Sequence, residues 1–344
     1  MSDNEKAIGS AFAPGPLWAW MEERHAIYIR KSIREGIDPG TLYVPEEADL
    51  EEADPDHFAL HPKGTSFTRD AVLAEGRFCN VFRELDTVTI WVRENIREPF
   101  ADHPNLWIML AIARYINWPP TLEMLINTPG AWPLASDWDP ADMGDALDTY
   151  QAKGVKVYTG AYMIRAESNR KAEWYNWTKN QYIAQIVIGR LWKERGHFGE
   201  LFACKELKLK EVWESLAKEK DFIGWGPFMA YEVVTDLRHT RYLEEAPDIY
   251  QWGNAGPGAL RGLNRLRDLH HNTALNQSTA SALMRELLDL ARERGHEGKW
   301  ASWFPWGDLE IRDIEHSLCE VDKWLRMKRG EGKMRAKYIE GRGY

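Results

Sequence analysis

The sequence predicts an all-α fold, an irregular orthogonal helical bundle in two lobes, and three observations carry that reading. Apolar residues recur at three- and four-residue spacing through most of the chain. Period-two strand patterns are scarce. Breaks at Trp118-Pro119-Pro120, Thr128-Pro129-Gly130 and Gly253 to Gly258 divide the helical stretches, because Pro and Gly do not continue a helix. At 344 residues the chain also exceeds the roughly 250–300 residues at which a single core stops growing, enough for one large helical domain of two lobes or for two ordinary domains.

Taken in order, helical period runs over Trp18 to Glu35, Thr68 to Arg97 and Asn105 to Tyr115, with Phe78, Phe82 and Leu85 on one face of the second stretch. It continues over Thr121 to Asn127, Ala141 to Ala152, Ala172 to Lys193 and Leu207 to Glu219, where Leu209, Trp213 and Leu216 repeat the spacing. The last stretches are Pro227 to Leu237, Ala259 to His271, Ser278 to Arg294 and Leu309 to Lys328. No internal repeat is evident, which argues against a solenoid. We expect an extension over 1–17, a helical domain over 18–329 and a flexible basic tail over 330–344.

Seventeen tryptophans indicate chiefly a large aromatic core. Trp118 and Trp225, beside Pro or Gly at element ends, are the rings placed to stack on a base instead. The net charge of −9 and the pI near 5.7 exclude a general nucleic-acid coat protein, so any contact with DNA must be local. An acidic stretch from Glu46 to Asp56 and a run of Lys and Arg from Lys323 to Arg342 are the two charge asymmetries. No apolar run approaches bilayer length, and the opening MSDNEKAIGS lacks the features of a signal peptide, so a cytoplasmic protein is expected. Cys79, Cys204 and Cys319 form no CxxC pair, which favours reduced structural thiols over a disulfide framework or a structural zinc site.

The strongest local signal is Gly224-Trp225-Gly226-Pro227-Phe228-Met229-Ala230, lying between two helical patterns. It reads as a helix-hairpin-helix turn. The glycines allow a tight turn and a close backbone approach, and Pro227 suits a first helical position. Amides at such a helix start hold a phosphate oxygen without net positive charge, which makes Gly224, Trp225, Gly226 and Phe228 candidate DNA contacts. An ordinary interhelical turn is the alternative. About twenty residues further on, Pro247-Asp248 opens a loop, and here the segment resembles the helix-hairpin-helix DNA glycosylases. That resemblance implies a DNA-glycosylase-like fold and a catalytic role for Asp248 facing an extruded base. Pro227, Phe228 and Met229 stand where those enzymes often carry a nucleophilic lysine, so lyase activity is not expected.

Blocks at Trp18 to His25, Arg77 to Asp86, Ala113 to Pro119, Gly226 to Leu237 and Gly256 to Gly262 resemble a narrower family. It is that of the phage α-glutamyl/putrescinyl-thymine pyrophosphorylases, or amino-acid:DNA transferases, which share a helical region with phage 5-hydroxymethyluracil DNA kinases. The resemblance implies thymine hypermodification in a bacteriophage setting. The amine of an amino acid or polyamine would displace pyrophosphate from 5-pyrophosphorylmethyl-deoxyuridine in DNA. No GxxxxGK[ST] loop occurs, so kinase activity is not expected.

Displacement at the exocyclic methylene needs a held leaving group, a polarised base and a deprotonated amine. Gly256 and Gly258 before a helix, with Arg261 and Arg265 one turn apart on it, are candidates for pyrophosphate; a Gly-rich turn and a solvent-facing ridge are the alternative. Asn80 suits the thymine edge and Arg83 a phosphate, unless Arg83 pairs internally with Asp86. Arg114 and Asn117 invite the same division, against C-terminal helix capping. Asp236 and Asp248 are the favoured acid–base or electrostatic residues, with Glu23 and His25 as further catalytic candidates. No carboxylate motif specifies a metal, and magnesium is optional alongside pyrophosphate. Two other function classes stand beside the transferase: a glycosylase excising a modified or damaged base, and a non-catalytic DNA-binding subunit.

Overall fold

The computed structural model describes residues 12–36, 67–160, 176–294 and 309–333. The acidic stretch at Glu46 to Asp56 and most of the basic tail lie outside the described residues. Helix is the only regular element among the described residues, in agreement with the all-α expectation. Contacts divide the chain into two compact units, one of 1–86 with 249–343 and one of 87–248.

In the first unit the helix Ile311–Lys328 is central. It packs against Gly15–Glu35, Ala71–Glu75, Pro257–Leu266 and Gln277–Arg294. Leu17, Trp20, Met21, Phe78, Phe82, Leu263, Met284, Leu287, Ile314 and Leu318 share one core. Leu17 is therefore core and not extension, since the first helix already begins at Gly15. The approach of Pro257–Leu266 to Ile311–Lys328 depends on two glycines. A Cβ on Gly262 would lie 2.3 Å from the Leu318 carbonyl oxygen, and one on Gly258 would lie 2.3 Å from Cys319 Sγ.

The long helix expected over Thr68 to Arg97 is interrupted. Asp70 caps a short helix, Ala71–Glu75, by accepting from the amides of Val72 and Leu73, and Gly76 ends it in extended backbone. A loop follows, then a 3₁₀ turn Arg83–Leu85, the helix Thr87–Val92 and a π turn Arg93–Arg97. Phe78, Phe82 and Leu85 are buried as their pattern implies, but from a loop. Apolar spacing reports which side chains face the core, and here the tertiary hydrogen bonds described below decide the backbone.

In the second unit every residue of the helix Leu106–Ile116 is buried. Each fully buried aliphatic side chain of this kind contributes roughly 1.5–3 kcal/mol. Pro227–Leu237 packs on this helix and on Leu209–Ala217, and Trp107 stacks on Phe198 at 4.5 Å between ring centroids. The Ala172 to Lys193 pattern is helical from Lys179, with a π turn over Ile183–Ile188; residues 172–175 lie outside the described set. A helix over Arg195–Phe202 has no counterpart in the sequence-based reading.

Candidate functional site

In the second unit the expected hairpin segment joins Leu209–Ala217 to Pro227–Leu237 across residues 218–226. Gly224 has φ +89, and a Cβ there would meet Tyr115 Oη at 2.9 Å, so glycine is required twice over. Gly226 is the N-cap, has no side-chain capping bond, and is exposed together with Pro227 and Phe228, whose side chain is 51% exposed. The turn is thus at the surface, beside a helix start that the N-cap side chain does not cap. Trp225 departs from the expected DNA contact: it is 1% exposed and its indole N–H donates to the Val187 carbonyl at 2.9 Å. Its ring anchors the turn from inside, which leaves Phe228 as the outward aromatic.

Three polar residues expected at the chemistry are bound to one another. Arg114 donates through two nitrogens to both carboxylate oxygens of Asp236 and at 2.9 Å to Thr89 Oγ1, with its remaining nitrogen 3.4 Å from Asn117 Oδ1. Arg114 is 2% exposed and Asp236 1%. A buried carboxylate held on both oxygens by a guanidinium joins two helices and has no access to an incoming amine, so Asp236 as a base and Arg114 as a phosphate ligand are both corrected. Asn117 sits at φ 45 as the C-cap of Leu106–Ile116, its N–H on the Ala113 carbonyl. Asp248 accepts from the amides of Leu209 and Lys210 at 2.8 and 3.0 Å. It anchors the start of a helix 39 residues earlier, as an N-cap carboxylate does. Its neighbour Pro247 lines an open cleft of about 460 Å³ with Lys205, Lys208 and Glu211.

In the first unit the expected pyrophosphate clamp is also internal. The Gly256 amide donates to Glu315 Oε1 at 2.9 Å, and Gly258 packs against Cys319. Arg261 and Arg265 both donate to the buried Asp322, at 2.7 and 2.8 Å, and Arg265 also reaches Glu331 at 2.6 Å. These arginines face the helix Ile311–Lys328, because the glycines that turn Pro257–Leu266 toward that helix lie on the same side. Glu23 pairs with Arg30 at 3.1 Å. His25 is 1% exposed, its ring edge-on to Phe82, and burial followed by the Arg24 charge lowers its pKa to about 3. An imidazole so hard to protonate is a poor proton acceptor for an ammonium.

One cluster was absent from the sequence-based reading. The Asn80 amide donates to Asp86 Oδ1 at 2.8 Å and the Asn80 side chain to the Leu85 carbonyl at 2.7 Å, closing residues 80–86 into a loop. Asn80 is therefore a loop-forming residue. This closure sets Asp86 beside Cys79, while Arg24 holds the carbonyls of Phe78 and Cys79. Across from them, Glu320 accepts from the Cys79 amide at 3.2 Å and pairs with Lys323, which also reaches the Arg77 carbonyl. His316, one turn before Glu320, completes the group: one donor atom each of Cys79, Asp86 and His316 lies within 4.8 Å of the others. All three residues are of intermediate exposure. Burial, then Asp86 and Glu320, push the Cys79 thiol well up, and burial pushes Asp86 up against the pull of the Asn80 amide and of Arg83. No spacing signal exposes the cluster, since Cys79 and Glu320 stand 241 residues apart.

Among the described residues no helix is long and apolar enough to cross a membrane. No solved structure matches the chain. The 5-hmdU DNA kinase of Bacillus phage SP10 is 25% identical to it over 284 residues, covering 77% of this chain but 42% of that protein, so the chain spans less than half of that relative's length. The family model for the helical domain of 5-hmdU DNA kinases matches residues 58–334, most of the sequence, and the chain belongs to that family.

Proposed function

We propose that this protein acts on an already modified thymine base in DNA. As a transferase, it displaces pyrophosphate from 5-pyrophosphorylmethyl-deoxyuridine with the amine of an amino acid or polyamine. The observation that carries this reading is the match to the helical domain of 5-hmdU DNA kinases. That match runs through residues 58–334 and takes in the turn at Gly224 to Phe228. A helical domain that handles the hydroxymethyl-derived base suits a reaction at that base's exocyclic carbon.

The exposed turn at Gly224 to Phe228 supports a grip on the DNA strand. Gly226 lets a phosphodiester approach an uncapped helix start, and Phe228 offers a ring for stacking. Both contacts operate on a protein of net charge −9 because they rely on backbone dipoles and a π-face. The glycosylase alternative lacks a comparable support, since Asp248 is engaged on the amides of Leu209 and Lys210.

The test is direct. The protein is incubated with DNA carrying the pyrophosphorylated base and a panel of amino acids and polyamines, and the DNA is digested to nucleosides and weighed. An amine-substituted nucleoside with stoichiometric pyrophosphate is expected. An unchanged base across the panel, or abasic sites in its place, overturns the proposal.

A further inference from the structure

We infer that Cys79, Asp86 and His316 form a binding site for a transition-metal dication of the zinc type. The inference goes beyond the proposed reaction and does not depend on it. Among the described residues this is the only group of three or more such side chains whose donor atoms converge, all within 4.8 Å of one another. A zinc-type ion at about 2.0–2.3 Å from thiolate, imidazole and carboxylate draws donors to roughly 3.5 Å apart, a rearrangement of about 1 Å that side-chain rotation supplies.

Four features favour an ion over an incidental cluster. The donor set is sulfur, nitrogen and oxygen, a combination that selects zinc or cobalt(II) over magnesium or calcium. The donors are pre-positioned: Asp86 by the Asn80 amide, Cys79 by Glu320 and Arg24, and His316 by the rigid helix Ile311–Lys328. All three residues are partly exposed, so the cluster lies near the surface of the first unit. Finally, Asn80 Oδ1, in the loop that carries two of the donors, is buried and has no hydrogen-bond partner among the described residues. A water bound to the ion is a suitable donor to it.

Three cations flank the site. Arg24 and Lys323 are drawn to the carbonyls of Arg77, Phe78 and Cys79 and to Glu320, while Arg83 faces Asp86. Binding converts the Cys79 thiol to thiolate and releases its proton to solvent. Three protein donors leave a tetrahedral ion one open position, the arrangement of a catalytic site more than of a structural one. A pyrophosphate oxygen or a water is the natural fourth ligand.

Full-length reduced protein, stripped with chelator, is titrated with Co2+ and followed by absorption. One equivalent should bind with a thiolate-to-cobalt charge-transfer band. Cys79→Ser should abolish the band, whereas Cys204→Ser and Cys319→Ser keep it, and Mg2+ should not displace the cobalt. Asn80→Ala should weaken Co2+ binding by roughly 10-fold, and His316→Ala by more. Should Cys79→Ser unfold, protection of Cys79 from alkylation by Co2+ in the wild-type protein, read by peptide mass, answers the same question. No charge-transfer band, a band that survives Cys79→Ser, or unprotected Cys79 overturns the inference.

Discussion

Arg114 and Asp236, 122 residues apart, close a two-pronged ion pair inside the second unit, and Thr89 takes a further proton of the same guanidinium. The pair fixes Leu106–Ile116 against Pro227–Leu237, the helix whose start forms the exposed turn. Removing one partner strands a buried charge. Asp236→Ala should therefore cost about 3–5 kcal/mol in chemical denaturation, and the double replacement Arg114→Met with Asp236→Leu clearly less. A fully stable Asp236→Ala protein that has lost only turnover would restore Asp236 as a catalytic group.

Asp248 acts on the helix Leu209–Ala217 as a cap, so Asp248→Ala should lower stability by about 0.5–2 kcal/mol. Turnover per folded molecule should stay within a few-fold of wild type. A folded variant with turnover reduced by more than about 100-fold, the scale of a lost acid–base residue, contradicts this.

His25 and Asp313 pull stability in opposite directions with pH. Unfolded His25 takes a proton near pH 6.5, whereas burial and the Arg24 charge delay this to about 3 in the folded protein, so stability falls as pH drops from 6.5 toward 3. Burial raises Asp313 from 3.8 to about 7, so the folded protein keeps a proton that the unfolded chain has lost, and stability falls as pH rises from 3.8 through 7. The two slopes offset each other over the shared window. His25→Gln should expose the falling limb and Asp313→Asn the rising one, each limited to about 1.4 kcal/mol per pH unit, in urea melts between about pH 4 and 7.

Glycines at three positions should behave differently on substitution by alanine. Gly262→Ala forces a Cβ against the Leu318 backbone and should cost about 1–3 kcal/mol. Gly258→Ala meets the Cys319 side chain, which can turn aside, and should cost less. Gly226→Ala has nothing within 4 Å and should cost no more than about 1 kcal/mol, the difference between alanine and glycine at a helix N-cap. Equal losses at all three would refute the packing account.

Phe228 is exposed at the turn, so Phe228→Ala should leave stability intact and weaken DNA binding by about 1–3 kcal/mol if one base stacks on the ring. Unchanged affinity in a fluorescence anisotropy titration removes the turn from the DNA interface.

The sequence by itself determined the all-α class, the core membership of Phe78, Phe82 and Leu85, and the turn at Gly224 to Pro227. Each is a local property: apolar spacing marks the buried side, and Gly and Pro restrict the backbone wherever they stand. Only the tertiary structure decided what the polar residues do. Asp236, Asp248, Arg261 and Arg265 stand in plausible places along the chain but find their partners at Arg114, Leu209 and Asp322. Cys79, Asp86 and His316 meet only because a closed loop is laid on a helix from the far end of the chain. A polar side chain is satisfied by whatever the fold brings within about 3 Å, and that distance is not encoded in neighbouring residues.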